Sequence, residues 1–71
     1  MKTLLDIGCM AGGSSVGYSR AGFKVTGTDL KPQKNYPYEF FQADLRSLDP
    51  AWIRRNFDAI HGSPHASASL Q

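Results

Sequence analysis

The sequence predicts an α/β domain: a parallel four-stranded sheet in the order 3-2-1-4, with helices on both faces. Three observations predict it. Short apolar runs alternate with helical or turn-like stretches, as in half of a doubly wound sheet. The first run gives way at once to a glycine-rich turn and then to a helical stretch. An Asp-Pro pair opens a second helix just before the last apolar run.

Thr3 to Ile7 is a brief apolar run closed by glycine and reads as a buried strand, β1. Gly12 to Ala21 reads as helix α1, with Val16 and Ala21 facing inward. Gly22 stands at its C′ position, where a left-handed backbone suits glycine, and Phe23 is placed to pack back on the last turn. Lys24 to Asp29 reads as β2. Leu30 to Pro37 holds two prolines and an asparagine and is expected to be a loop. Glu39 to Ala43 reads as β3, and the run Tyr36, Tyr38, Phe40, Phe41 as core and rim, not a base-stacking platform. Asp49 as N-cap and Pro50 at the first helical position start α2, Pro50 to Asn56, with Trp52 and Ile53 as its apolar contact. Phe57 to Gly62 reads as β4, and the Ser/Ala-rich residues 65–71 as a flexible tail.

Seventy-one residues allow one small domain, which buries only about 60% of its unfolded surface. Hydrophobic residues at 41% and charged residues at 20% make an ordinary globular mixture. A net charge of +2 is compatible with nucleic acid without demanding it. One cysteine excludes a disulfide framework and suits a reducing cytoplasm. The longest uncharged run, Ile7 to Ser19, is too rich in Gly and Ser to cross a bilayer or serve as a signal peptide. A cytoplasmic protein with no membrane partner is therefore expected.

The turn Asp6-Ile7-Gly8-Cys9-Met10-Ala11-Gly12-Gly13 links a strand to a helix N-terminus. Its glycines allow close approach of a ligand, and the helix end offers unpaired amides and a positive dipole. Asp29 ends β2, 23 residues after Asp6, where an acid is placed to accept two ribose hydroxyl protons. Asp44 ends β3, within reach of an adenine amino group. Each residue alone could equally be a turn or cap; three successive strand ends carrying this set point to a nucleoside-type ligand. A nicotinamide or flavin nucleotide is less well served, because the turn lacks G-x-G-x-x-G spacing.

Leu4 to Gly13 resembles motif I of class I S-adenosylmethionine-dependent methyltransferases. Read on through Gly17 to Asp29, the chain is similar to phage and bacterial DNA methylases of the cytosine-5 type. These carry D-L-F-C-G-A-G-G, a helix, A-G-F, and a strand ending in an acid. Gln42-Ala43-Asp44 resembles their third element, and Phe57 to Pro64 the strand leading to their P-P-C-Q motif. The resemblance spans residues 1–64 and implies a truncated, Rossmann-like half-domain that binds the cofactor. It implies that Asp6, Gly8, Cys9, Met10, Gly12 and Gly13 hold the methionine part of S-adenosylmethionine. It places Asp29 on the ribose, Leu30 against adenine, Asp44 on the adenine amino group, and Pro64 near the methyl donor.

Where the family has P-P-C-Q, this chain has Pro64-His65-Ala66-Ser67. Cytosine C5 becomes nucleophilic only after a thiolate adds at C6, so no catalytic residue is assigned, and the chain alone is not expected to methylate. Met10 stands where the family has glycine. His61 and His65 lack a third ligand, so no metal site is expected. Lys31, Lys34, Arg54 and Arg55 read as surface charge that could also meet DNA phosphates. An unpaired apolar β4 leads to an alternative, non-enzymatic role: a phage interaction module that self-associates as a homo-oligomer or docks a second protein chain along β4. A second chain supplying the missing half of a working methyltransferase is a third arrangement.

Overall fold

A computed structural model describes residues 1–62. Its elements are β1 (Thr3–Ile7), α1 (Gly13–Arg20), β2 (Lys24–Asp29), β3 (Glu39–Gln42), α2 (Pro50–Asn56) and β4 (Ala59–His61), with one 3₁₀ turn at Leu45–Ser47. The strands form a four-stranded sheet in the order β3-β2-β1-β4, and every pairing is parallel. Strand order and parallel pairing are as the sequence predicts. The expected tail at 65–71 and the domain limit at residue 64 lie outside the described residues.

Alternation along β1 assigns the two faces. Leu5 and Ile7 point to one, where they form a core with Ile53 of α2, and Phe41, Leu45, Leu48 and Phe57 close around it. Trp52 meets both Phe41 and Phe57 with ring centroids 6.0 Å apart. Leu4 and Asp6 point to the other face, in register with Val25 and Gly27. That face receives α1 through Ser15, which bonds Asp6, and through Tyr18, whose hydroxyl lies 2.8 Å from Nδ1 of His61. The helices thus cover opposite faces.

α1 ends as expected. Gly22 has φ 101°, and the Gly22 and Phe23 amides donate to the carbonyls of Ser19 and Tyr18. Phe23 stacks edge-on against Tyr18, completing the Schellman arrangement. α2 also begins as expected, with the Asp49 carboxylate accepting from the Ala51 amide at 3.0 Å.

Four expectations need correction. α1 is a residue shorter at each end, because Gly12 is a left-handed N-cap at φ 102° and Ala21 is an exposed C-cap. Its wholly buried residue is Ser15, while Val16 is only half-buried. β3 stops at Gln42, where the Ala43 amide turns to the Asp29 carbonyl. β4 is three residues rather than six: Phe57 caps α2 and joins the core, and Gly62 leaves extended backbone at φ 84°.

Residues 30–38 form the expected loop, so no helix connects β2 to β3. Tyr36 does part of a helix's work instead. It is the most buried residue of the aromatic run and lies on the α1 side, beside Gly12 and Gly27, with Tyr38 and Phe40 stacked against it. Beyond Tyr36 a groove of about 600 Å³ remains between Phe23, Val25, Pro37 and Tyr38. No helix among the described residues is long and apolar enough to cross a membrane.

Candidate nucleoside site at the ends of the strands

The C-terminal ends of β1, β2 and β3 make one rim. The turn after β1 is stitched to β2: the amides of Gly8 and Cys9 both donate to the Thr28 carbonyl, at 2.8 and 3.2 Å. Three of its residues, Gly8 at φ 71°, Met10 at φ 51° and Gly12 at φ 102°, are left-handed. For Met10 that conformation costs roughly 1–2 kcal/mol, whereas glycine adopts it freely. The strain is held by the Asp29 carboxylate, whose Oδ2 accepts from the Met10 amide at 3.0 Å. The Met10 side chain itself is 68% exposed, standing clear of the turn.

Asp29 is half-buried. Its second oxygen, Oδ1, has only a long 3.4 Å contact with the Lys31 amide. Leu30, 55% exposed, follows it, and the Leu30 carbonyl accepts from Gln42 Nε2 at 2.9 Å, tying β2 and β3 together past their ends. At the end of β3, Asp44 caps the 3₁₀ turn by accepting from the Arg46 amide at 3.0 Å, while the Arg46 guanidinium lies 3.3 Å away. The Arg46 side chain, and then its amide, hold the Asp44 carboxyl below the usual range. Leu45 reaches back toward Gly8.

The predicted residues are divided by burial. Gly8, Met10, Gly13, Leu30 and Asp44 are exposed along the rim, with Asp29 between them. Asp6, Cys9 and Gly12 are buried beneath the turn. Asp6 is 1% exposed and accepts a short hydrogen bond from the Ser15 hydroxyl. Ser15 Oγ is also 2.9 Å from the Tyr36 hydroxyl. Burial pushes the Tyr36 phenol up to about 12 against the opposing effect of its hydrogen bond with Ser15. It also pushes the Cys9 thiol up to about 11, with Asp6 and Asp29 adding to the effect, so this thiol is not a nucleophile at neutral pH. Pro64 and His65 lie outside the described residues.

Gly12 supplies no side-chain cap to α1, which leaves the Gly13 and Ser14 amides without a partner among the described residues. Among the described residues no group of three His, Cys, Asp or Glu could hold a metal, and His61 turns one ring nitrogen to Tyr18. Sequence reasoning overlooked Ser15 and Arg46, and Ser15 carried no signal; Tyr36, read as one of the core-and-rim aromatics, is buried. No protein-family model matches the chain, and comparison with curated proteins and with solved structures finds no match either.

Proposed function

We propose that this rim is the cofactor site of a methyltransferase-like, Rossmann-type sheet and binds S-adenosylmethionine. The observation that carries the proposal is Asp29. It ends the strand next to the glycine turn and uses Oδ2 to fix that turn through Met10, while Oδ1 has only one long contact.

The donor set fits the group. Asp29 Oδ1 would accept from ribose hydroxyls. The uncapped Gly13 and Ser14 amides at the start of α1 would face the methionine carboxylate, a negative group at a positive helix end. Leu30 would supply an apolar contact to adenine. Asp44 would reach the adenine amino group with whichever lone pairs Arg46 leaves. Bound S-adenosylmethionine would supply an electrophilic methyl group. The described residues bind and orient it, and none of them is assigned to methyl transfer.

Isothermal titration calorimetry of S-adenosylmethionine tests this. Asp29→Asn retains an acceptor for the Met10 amide but loses the charge. It is expected to weaken binding about tenfold, or about 1.4 kcal/mol, with the fold intact. Absence of heat from the unsubstituted protein at millimolar ligand would overturn the proposal.

A second reading is favoured by β4. Among the described residues it is a sheet edge, and Ile60 is 43% exposed on it. Two such edges related by a twofold axis would pair antiparallel into one larger sheet, making the chain a self-associating module. Sedimentation of the protein and of Ile60→Lys distinguishes it: a dimer lost on substitution supports it, and a monomer throughout excludes it.

A further inference from the structure

The charges are sorted between the two ends of the sheet. Because all strands run parallel, the chain enters every strand at one end. At that end lie Lys2 before β1, Lys24 at the start of β2, Arg20 in the last turn of α1, and Arg54 and Arg55 in the last turn of α2. The carboxylates there are Glu39 and Asp58. Five cations against two carboxylates make a net +3. The opposite end, with the nucleoside site, holds Lys31, Lys34 and Arg46 against Asp6, Asp29, Asp44 and Asp49, a net −1.

The folded state accounts for this basic edge only in part. All five cations are exposed, and none takes part in an ion pair among the described residues. Asp58 is occupied with the Thr3 amide, at 2.8 Å, and the Thr3 hydroxyl. Helix ends favour cations near their last carbonyls, which rationalises Arg20, Arg54 and Arg55. It does not bear on Lys2, before β1, or Lys24, at the start of β2, whose amide donates to the Lys2 carbonyl at 2.8 Å; Lys2 favours the ionised form of Asp58, and Lys24 has no such partner among the described residues. With the helices on opposite faces, the cations form a band from α1 across the sheet to α2, about 20 Å at about 10 Å per layer.

We infer that this edge binds the phosphate backbone of nucleic acid, at the end of the sheet opposite the nucleoside site. Duplex DNA carries one charge per about 1.7 Å of axis, so a band of this length faces many phosphates. A membrane is less well matched. Surface-bound basic segments pair their cations with several exposed large apolar side chains, whereas this edge exposes Met1 beside Lys2, and its Phe23 is packed on Tyr18. The inference does not depend on S-adenosylmethionine binding.

The test is fluorescence anisotropy of a labelled 20-base-pair duplex of arbitrary sequence. Binding is expected at 50 mM salt and is expected to weaken about 40-fold at 200 mM, the slope for about three phosphate contacts. The pair Lys24→Glu with Arg55→Glu should weaken binding at least about tenfold, while Lys31→Glu with Lys34→Glu, the same change in net charge, should stay within about threefold. Circular dichroism checks both folds, and Lys2→Glu with Arg20→Glu replaces the first pair if it fails to fold. No binding at 50 mM salt overturns the inference, as does equal weakening by both pairs. Binding to phosphatidylserine vesicles but not to the duplex assigns the edge to membranes and overturns it too.

Discussion

The Tyr36 hydroxyl lies 2.9 Å from Ser15 Oγ, and through that serine the β2–β3 loop is joined to the buried carboxylate of Asp6. Three segments far apart in sequence meet in this chain of hydrogen bonds: the central strand, the first turn of α1, and the loop that replaces a covering helix. Gly27 makes room for it. A Cβ there would stand 2.6 Å from the Tyr36 hydroxyl and 2.7 Å from Cys9 Sγ.

Tyr36→Phe removes one buried hydrogen bond and little volume. It should cost about 1 kcal/mol and lower Tm by about 4–8 °C. Gly27→Ala should cost more, by expelling the ring. Its cost should fall when Tyr36 is already alanine, and a double-mutant cycle read by urea unfolding measures that coupling. Equal costs in both backgrounds would mean that the ring does not fill the hollow.

Ile53 is the only wholly buried residue of α2. Ile53→Ala should cost about 2–5 kcal/mol. A chain of this size has only about 5 kcal/mol of stability, so the variant is expected to keep at most about 3 kcal/mol and, at the upper cost, to be about half unfolded at 25 °C, read by urea unfolding followed by circular dichroism. Trp52→Ala, at the half-exposed neighbouring position, should be milder.

Asp58 gives a pH dependence whose sign follows from its partners. The Thr3 amide bond holds its carboxyl below the ordinary 3.8. A carboxyl depressed in the folded state contributes stability above its unfolded pKa, and the contribution is lost as pH falls through the folded value. In urea unfolding, the gap between the protein and Asp58→Asn should therefore be widest near pH 6 and close toward pH 3. A gap independent of pH would show that the Thr3 contact does not favour the charged form.

Strand order and helix placement were legible because they rest on local signals. Apolar runs, the Asp49-Pro50 start and the Gly22 stop each act within a few residues. The alignment of Asp29 with the glycine turn was legible for a related reason: parallel strands bring their C-terminal ends together wherever the intervening chain goes. What escaped depends on contacts across the fold. Nothing near Ser15 distinguishes it from Ser14, and its burial arises because Asp6 lies opposite. Tyr36 reads as a core-or-rim aromatic in a loop, and what it covers is decided only when the loop folds back over Gly27. The length of β4 was overestimated because Phe57 is as apolar as a strand residue but is claimed by Trp52 and the α2 core.

The central position of β1 constrains how the molecule is made. Its neighbours are β2, with Leu4 opposite Val25, and β4, with Leu4 opposite Ala59. Of the four strands, a ribosome releases β1 first and its second partner last. Until residue 59 emerges, one side of the most apolar strand has no hydrogen-bonded neighbour, and Ile53, which covers it, has only just been synthesised. The sheet therefore cannot be completed before β4 has been made, and the interval before β4 arrives is when the nascent chain is most exposed to aggregation and to chaperones.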